Sequence, residues 1–166
     1  MECLLSAVTV CSKMIIRPAT TQEAAELTRI AHEAKRHWGY PEHWLQYWDA
    51  DLTITPDFIG DNHVFVAEEE GGLAGFYALC VKNDKAELDH MWVVPERMGM
   101  GVGKELFLSA MQKASELNLS SVEICSDPNA EGFYQKMGAH RIGETTSDLD
   151  GELRVLPRLS IDPNDS

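Results

Sequence analysis

The sequence has 166 residues, of which 44% are hydrophobic, so it is long enough for one packed domain and too short for two. Its formal net charge of -13 argues against a protein that binds DNA or RNA, because such binding uses clustered lysine and arginine. Acidic surface charge is typical of soluble proteins, and it also attracts cationic substrates.

The first 13 residues, MECLLSAVTVCSK, lack the basic start of a secretory signal, and no apolar run in the sequence approaches the length of a membrane span. We expect residues 1–13 to be a disordered extension. A single domain is expected over residues 14–161, followed by a short tail at 162–166. No membrane partner is predicted.

The cysteine and histidine patterns argue against a metal site. Cys3, Cys11, Cys80 and Cys125 form no CxxC pair, and the six histidines form no HxH or HExxH arrangement. A reduced, cytoplasmic chain without a bound metal therefore fits the sequence best.

The first part of the predicted domain combines one strand with several helices. Residues 15–17 form a predicted strand that ends at Pro18, whose ring fixes φ and removes the amide donor. The segment TTQE has the form of a capping box, and apolar residues at helical spacing follow it. A second short helix is predicted after Gly39, and another brief turn begins at Thr55.

The period of the hydrophobic pattern then changes to that of strands. HVFVAEE and GLAGFYALCV predict a hairpin, and KAELDHMWVV predicts a third strand. A helix follows residue 101, then a strand at SSVEICS, a short helix at AEGFYQKM and a closing pair of strands at AHRIGETTS and ELRVLPRLSI. This order predicts an α/β or α+β domain with a central, mixed but mostly antiparallel sheet flanked by helices.

The segment PERMGMGVGKELF places glycines at 99, 101 and 103 between a predicted strand and a predicted helix. Glycines there let the backbone approach a ligand, and the helix N-terminus adds partial positive charge, so the segment could hold a pyrophosphate. It is not a P-loop, because Gly103-Lys104 is followed by Glu105 and not by Ser or Thr. On its own the glycine pattern fits a structural turn equally well.

Together with the segments around it, this pattern resembles the GNAT superfamily of acetyl-CoA-dependent N-acetyltransferases. The resemblance rests on the strand ending VVP, the glycine turn with its helix, the following strand and the segment DPNAEGFYQKMGA, and it covers Met14 to roughly Ile161. The family loop has the form Q/R-x-x-G-x-G/A, and here Met98 replaces the Gln or Arg, with Arg97 displaced by one. The resemblance implies about seven strands with a splay between the fourth and fifth.

The resemblance also implies where acetyl-CoA binds. The pantetheine arm would lie in the splay and pair with the backbone near the end of the fourth strand, and the pyrophosphate would lie on the glycine turn. The side chains at the strand end could equally be ordinary core residues. The implied cofactor-binding residues are Trp92, Val93, Val94, Met98, Gly99, Met100, Gly101, Val102, Gly103, Lys104, Asn129, Phe133 and Tyr134.

Acetyl transfer to an amine requires a proton donor for the leaving thiolate and an acceptor for the proton of the amine. Tyr134 matches the tyrosine that acts as general acid in the family, although it could simply be a buried tyrosine. Glu87 matches the position of the base in several members, and Asp89, His90 and water are open alternatives. Alternation along a strand predicts that Asp89 shares the face of Glu87 and that His90 points the other way.

The segment HWGYPEHWLQYW places an aromatic cluster between the first helices, where family members build the wall of the acceptor site. Beside acidic residues, these rings could bind a cationic amine, or they could pack the helices onto the sheet. No residue identifies the substrate. The aromatic residues are Trp38, Tyr40, Trp44, Tyr47 and Trp48.

The predicted function is an N-acetyltransferase that passes an acetyl group from acetyl-CoA directly to a primary amine of a small molecule or peptide. Direct transfer follows from the resemblance and from the lack of a cysteine at a convincing nucleophile position, with Cys125 the one cysteine near the splay. The alternatives are a catalytically silent module that binds acyl-CoA and regulates a partner, and a structural or dimerisation module. Edge strands in the closing pair leave a homodimer open.

Overall fold

The computed structural model describes residues 13–165 of the chain. The predicted N-terminal extension lies outside the described residues apart from Lys13, as does Ser166 of the predicted tail. The strands are β1 (Ile15–Pro18), β2 (His63–Glu69), β3 (Gly72–Lys82), β4 (Lys85–Val93), β5 (Val122–Cys125), β6 (His140–Leu149) and β7 (Glu152–Ile161). The helices are α1 (Ala24–His37), α2 (Glu42–Tyr47), α3 (Asp49–Leu52), α4 (Pro56–Asp61), α5 (Val102–Glu116) and α6 (Glu131–Lys136).

The seven strands form one sheet in the order β1-β2-β3-β4-β5-β7-β6. Every neighbouring pair is antiparallel except β4 and β5, which are parallel. The predicted mixed, mostly antiparallel sheet flanked by helices is therefore confirmed. The insertion of β7 between β5 and β6 was not predicted.

Local sequence explains the start and the buried face of α1. The capping box forms as predicted, since the Thr20 amide donates to Glu23 Oε1 at 2.8 Å. Leu27, Ile30 and Ala31 are buried at helical spacing and pack against the sheet.

The sheet is covered by helices on both faces. Phe76 and Tyr77 are neighbours in β3, and neither is exposed, yet they belong to different hydrophobic cores. Phe76 packs on the side of α1, whereas Tyr77 packs on the side of α5. Burial on both faces explains why β3 reads as an almost continuous apolar run.

The parallel pair β4 and β5 separates soon after it forms. The two strands pair only at Ala86 with Val122 and at Glu87 with Glu123. Among residues 13–165, β4 has no strand partner on that side beyond Glu87, so a gap opens between the strands. This confirms the predicted splay between the fourth and fifth strands.

β4 contains a β-bulge that changes the direction of its side chains. Ala78 pairs with His90 but the next residue, Leu79, pairs with Leu88, so Asp89 is the extra residue. His90 contacts the ring of Phe58, with ring centroids 5.5 Å apart, and Phe58 also lines a groove with Glu87 and Asp89. The prediction that His90 points away from Glu87 and Asp89 is therefore wrong, because the bulge interrupts strand alternation.

Candidate active site

The gap between β4 and β5 opens into a cavity of about 440 Å³, a size typical of ligand sites. Ten of the predicted cofactor-binding residues line it: Trp92, Val93, Met98, Gly99, Gly101, Gly103, Lys104, Asn129, Phe133 and Tyr134. Three do not line it. Val94 and Val102 have side chains buried in the cores, and Met100 is 66% exposed.

The glycine segment forms one end of the cavity. Gly99 and Gly101 have φ angles of 77° and 87°, a left-handed conformation that glycine adopts without strain. Helix α5 begins directly after Gly101, so its first amides have no acceptor within the helix and carry partial positive charge. Lys104 adds a formal positive charge at the same end of the cavity. This end can therefore hold an anionic phosphate group.

Arg97 does not take over the role of the family Gln or Arg that Met98 replaces. Its Nε forms an ion pair with Glu69 Oε2 at 2.8 Å. Met98 itself lines the cavity with an apolar side chain. The groups at this end that could hold a phosphate are therefore backbone amides and Lys104.

Tyr134 lies on α6, where its ring is packed against other aromatic rings and its hydroxyl faces the cavity. Its ring packs against Phe107 and Phe133, with centroids 6.0 Å and 5.3 Å apart. The Tyr134 hydroxyl makes no hydrogen bond within residues 13–165. Because every buried side-chain oxygen of the described residues has a hydrogen-bond partner, this hydroxyl cannot be buried. It therefore opens to the cavity that Tyr134 lines. Burial raises the pKa of Tyr134, so the hydroxyl is protonated at neutral pH and can donate a proton.

The two acidic residues of β4 share one groove, but only Asp89 also lines the cavity. Asp89, on the bulge, lines the cavity that Tyr134 also lines. Glu87 lines the groove that it shares with Asp89, Cys80 and Glu123, and not the cavity. Burial, followed by the negative charge of Asp89, raises the pKa of Glu87. The structure thus brings Asp89, and not Glu87, to the cavity of Tyr134.

A buried charged network, which the sequence did not reveal, borders the cavity at Asp127 and Asn129. Lys35 Nζ lies 2.7 Å from Asp127 Oδ2, and these side chains are 11% and 12% exposed. The Tyr40 hydroxyl donates to Asp127 at 2.9 Å and accepts from Asn129 Nδ2 at 3.0 Å and from Arg154 Nη2 at 3.1 Å. The network therefore links four parts of the chain: α1, the segment before α2, the segment after β5, and strand β7. It holds Asn129 at the cavity wall.

Burial and charge compete in this network. Burial alone would raise the pKa of Asp127, but the charge of Lys35 and the hydrogen bonds from Lys35, the Asn129 amide and Tyr40 lower it. Burial lowers the pKa of Lys35 despite its bond to Asp127. Burial and the charge of Asp127 raise the pKa of Tyr40 to about 12. Asp127 is thus the counter-charge on which the two buried cations, Lys35 and Arg154, depend.

The aromatic cluster packs against cations of the protein itself. Lys35 Nζ lies 4.1 Å from the ring centroid of Trp48, and the guanidinium carbon of Arg154 lies 4.9 Å from the same ring and 5.8 Å from Trp44. Both cations also lie over the Tyr40 ring, at 4.9 Å and 5.1 Å. These contacts favour the packing interpretation of Tyr40, Trp44 and Trp48 over direct binding of a cationic substrate.

Cys125 is exposed at the end of β5 and lines the cavity, so it is not a core residue. Partial burial raises the pKa of its thiol. Because the thiolate is the nucleophilic form, Cys125 is a weak nucleophile at neutral pH.

Within residues 13–165, no group of three or more His, Cys, Asp or Glu residues is placed to hold a metal ion. None of the helices in this part of the chain is long and apolar enough to cross a membrane.

Comparison with known proteins identifies a matching family and two sequence relatives of this chain. The family model of the acetyltransferase (GNAT) domain matches residues 18–150. A Bacillus subtilis protein, named as a candidate ribosomal protein bS18-alanine N-acetyltransferase, is 33% identical over 79 residues, which are 46% of this chain and 52% of the relative. The chain therefore matches about half the length of that relative. A 5-NmdU N-acetyltransferase of Pseudomonas phage PaMx11 is 24% identical over 141 residues, or 84% of this chain and 94% of the relative.

Solved structures share the fold. The PaiA N-acetyltransferase of Thermoplasma acidophilum, in complex with coenzyme A, has a TM-score of 0.72 at 20% identity and covers 90% of this chain and 99% of its own. A GCN5-related N-acetyltransferase from Rhodopseudomonas palustris has a TM-score of 0.74 at 19% identity, covering 91% and 96%. At sequence identities this low, the similarity shows that these proteins share a fold with the chain and shows nothing more.

Proposed function

Since the chain belongs to the GNAT family of acetyltransferases, we propose that it moves an acetyl group from acetyl-CoA directly to a primary amine of a small molecule or peptide. The observation that carries this proposal is one cavity with an anion-binding glycine turn at one end and the open hydroxyl of Tyr134 in its wall. The raised pKa of the Cys125 thiol supports direct transfer without an acetylated cysteine. The free thiols of Cys80 and Cys125 fit the proposed location in the cytoplasm.

The residues of the cavity fit coenzyme A. Apart from the adjacent residues, no heavy atom of residues 13–165 lies within 4 Å of the position that a Cβ would take at Gly99 or Gly101, so the backbone there faces open space. The amides of residues 99–104 and the Lys104 ammonium would hold the phosphates. The free edge of β4 at Trp92 and Val93 would pair with the amides of the pantetheine arm. When bound, acetyl-CoA supplies the acetyl group as an activated thioester.

Tyr134 and Asp89 are the residues proposed to handle protons. Tyr134 holds a proton on Oη at neutral pH, and it can donate that proton to a thiolate leaving group in the cavity. Asp89 lines the same cavity and is assigned as the acceptor of the amine proton, directly or through water. Glu87, the base expected from the resemblance, would have to act from the neighbouring groove.

Matched substitutions distinguish the two carboxylates of β4. Asp89→Asn is expected to lower kcat by about tenfold or more, whereas Glu87→Gln should change it by less than about threefold. The side chain of Asp89 is 44% exposed, so water can partly replace it as proton acceptor. Steady-state rates at saturating amine measure both effects. The reverse order would move the base to Glu87.

The proposed cofactor site is tested by calorimetric titration with acetyl-CoA and with desulfo-CoA, using NADH as a control. The unaltered protein should bind both CoA compounds at one site and should not bind NADH. Gly101→Asp is expected to weaken this binding by about tenfold or more, because a carboxylate there repels the pyrophosphate. Gly101→Asn, which has the same shape without the charge, should bind more tightly than Gly101→Asp.

Undiminished binding to Gly101→Asp would contradict the assignment of the glycine turn. Binding of acetyl-CoA by the unaltered protein without transfer to any amine in a broad panel would instead identify a silent acyl-CoA-binding module. Lack of binding to either CoA compound would overturn the proposed function.

A further inference from the structure

Asn129 lines the cavity with a side-chain amide whose two hydrogens are both bound within the protein. Its Nδ2 donates to the Tyr40 hydroxyl at 3.0 Å and to Asp127 Oδ1, also at 3.0 Å. An amide nitrogen of this kind has only two hydrogens, so none is left for a ligand. The amide oxygen, Oδ1, makes no hydrogen bond within residues 13–165, so it is the amide atom that remains for a ligand in the cavity. Asn129 therefore offers a ligand an acceptor and no side-chain donor.

The chemistry of the neighbouring groups fixes the orientation of this amide. The folded protein lowers the pKa of Asp127, so at neutral pH its carboxylate only accepts hydrogen bonds. In the opposite orientation the amide oxygen of Asn129 would take the place of Nδ2, 3.0 Å from Asp127 Oδ1, and the two oxygens would repel each other. The backbone amide of Asn129 donates to the same carboxylate oxygen at 2.9 Å. The side-chain oxygen of Asn129 must therefore point away from Asp127.

Tyr40 is held in one place by its ring as well as by its hydroxyl. Two cations of the protein lie over the ring, and the Trp48 ring meets it edge-on with centroids 5.0 Å apart. The hydroxyl donates its one hydrogen to Asp127 and accepts from Asn129 and from Arg154, so its hydrogen bonds are complete. A hydroxyl that is fixed in this way also fixes the amide that donates to it.

We propose that Tyr40 is a positioning residue for acetyl-CoA. Together with Asp127 it holds Asn129 so that the amide oxygen accepts a hydrogen bond from an amide N–H of the pantetheine arm. Tyr40 does not line the cavity, so it acts on the cofactor through Asn129. This inference rests on the proposed acetyl-CoA site, and it makes the segment before α2 part of cofactor recognition.

Tyr40→Phe tests the proposal, because it removes the hydroxyl and leaves the ring contacts and the ion pair of Lys35 with Asp127 in place. We expect this variant to bind acetyl-CoA about fivefold more weakly in calorimetric titration. Its affinity for 3′-phosphoadenosine 5′-diphosphate, the nucleotide half of coenzyme A, should change by less than about twofold, because that ligand lacks the pantetheine arm. Tyr77→Phe is the matched control. It too removes a hydrogen-bonded hydroxyl, but away from the cavity lining, and it should bind both ligands like the unaltered protein.

A double-mutant cycle with Asn129→Ala shows whether Tyr40 acts through Asn129. Asn129→Ala alone should weaken acetyl-CoA binding by about tenfold. Adding Tyr40→Phe should weaken it by less than about twofold more, because the amide that the hydroxyl positions is then gone.

Three results would overturn the inference. They are undiminished binding of acetyl-CoA by Tyr40→Phe, an equal loss of affinity for acetyl-CoA and for the nucleotide, and the same effect of Tyr40→Phe with and without the Asn129 amide. Lack of acetyl-CoA binding by the unaltered protein would instead overturn the proposed function, so the two failures are distinguishable.

Discussion

Replacing Tyr134 with phenylalanine is expected to lower kcat by about a hundredfold or more, with little change in acetyl-CoA affinity. The substitution removes the one group in the cavity wall that we assign as proton donor, because burial raises the pKa of Tyr134 and keeps its hydroxyl protonated. It leaves the ring contacts with Phe107 and Phe133 in place. Steady-state kinetics and calorimetric titration with acetyl-CoA measure the two quantities separately.

Tyr77→Phe is the matched control for Tyr134→Phe. Tyr77 is fully buried, and its hydroxyl lies 3.0 Å from Ser109 Oγ, away from the cavity lining. Its loss should cost about 1 kcal/mol of stability and leave kcat nearly unchanged. An unchanged kcat in Tyr134→Phe would remove Tyr134 from the mechanism, and equal losses in both variants would indicate an effect on packing alone.

Asp127→Asn is expected to lower the free energy of unfolding by about 3–5 kcal/mol, because it leaves Lys35 and Arg154 buried without a counter-charge. Lys35→Met should cost clearly less. Asp127 would then keep the hydrogen bond from Tyr40 at 2.9 Å and the charge of Arg154 at 3.7 Å. Urea unfolding with linear extrapolation measures both values.

Two controls test whether the effect of Asp127→Asn comes from its buried charge: a substitution in an exposed ion pair, and the dependence of the effect on pH. Glu33→Gln breaks the exposed contact to Arg29 at 2.9 Å and should cost less than about 1 kcal/mol. Because the folded protein lowers the pKa of Asp127 below its ordinary value of 3.8, the resulting stabilisation is present above that pH and is lost as the pH falls through the lowered pKa. The stability difference between the unaltered protein and Asp127→Asn should therefore shrink on acidification. Losses of similar size for Asp127→Asn and Glu33→Gln would show that the network adds no more than a surface pair.

Features that depend on neighbouring residues were predictable. The capping box before α1 is formed by residues three apart, and α1 then buries Leu27 and Ile30 at the spacing of a helix. The glycine turn was recognisable because Gly99 and Gly101 need φ angles that other residues rarely adopt. The order of strands and helices, and with it the family resemblance, followed from such short-range patterns.

The bulge at Asp89 shows where short-range patterns failed. Alternation along a regular strand placed His90 on the face opposite Glu87, and no residue type in KAELDHMWVV marks the extra residue. The bulge is visible only in the pairing of β4 with β3, where Leu79 meets Leu88 and Ala78 meets His90. It brings Asp89 to the cavity and His90 to the ring of Phe58, so Asp89 and not Glu87 is the residue that we propose as the base.

The sequence by itself determined the elements, the glycine turn and the placement of Tyr134 on α6, because helix caps, hydrophobic periods and glycine backbone preferences act over a few residues. Only the tertiary structure decided which acidic residue reaches the cavity and which cations the aromatic rings bind. Lys35 and Asp127 are 92 residues apart in the chain, and Tyr40 and Arg154 are 114 apart. Contacts of this kind depend on burial and charge at sites where distant segments meet, and no local pattern encodes them.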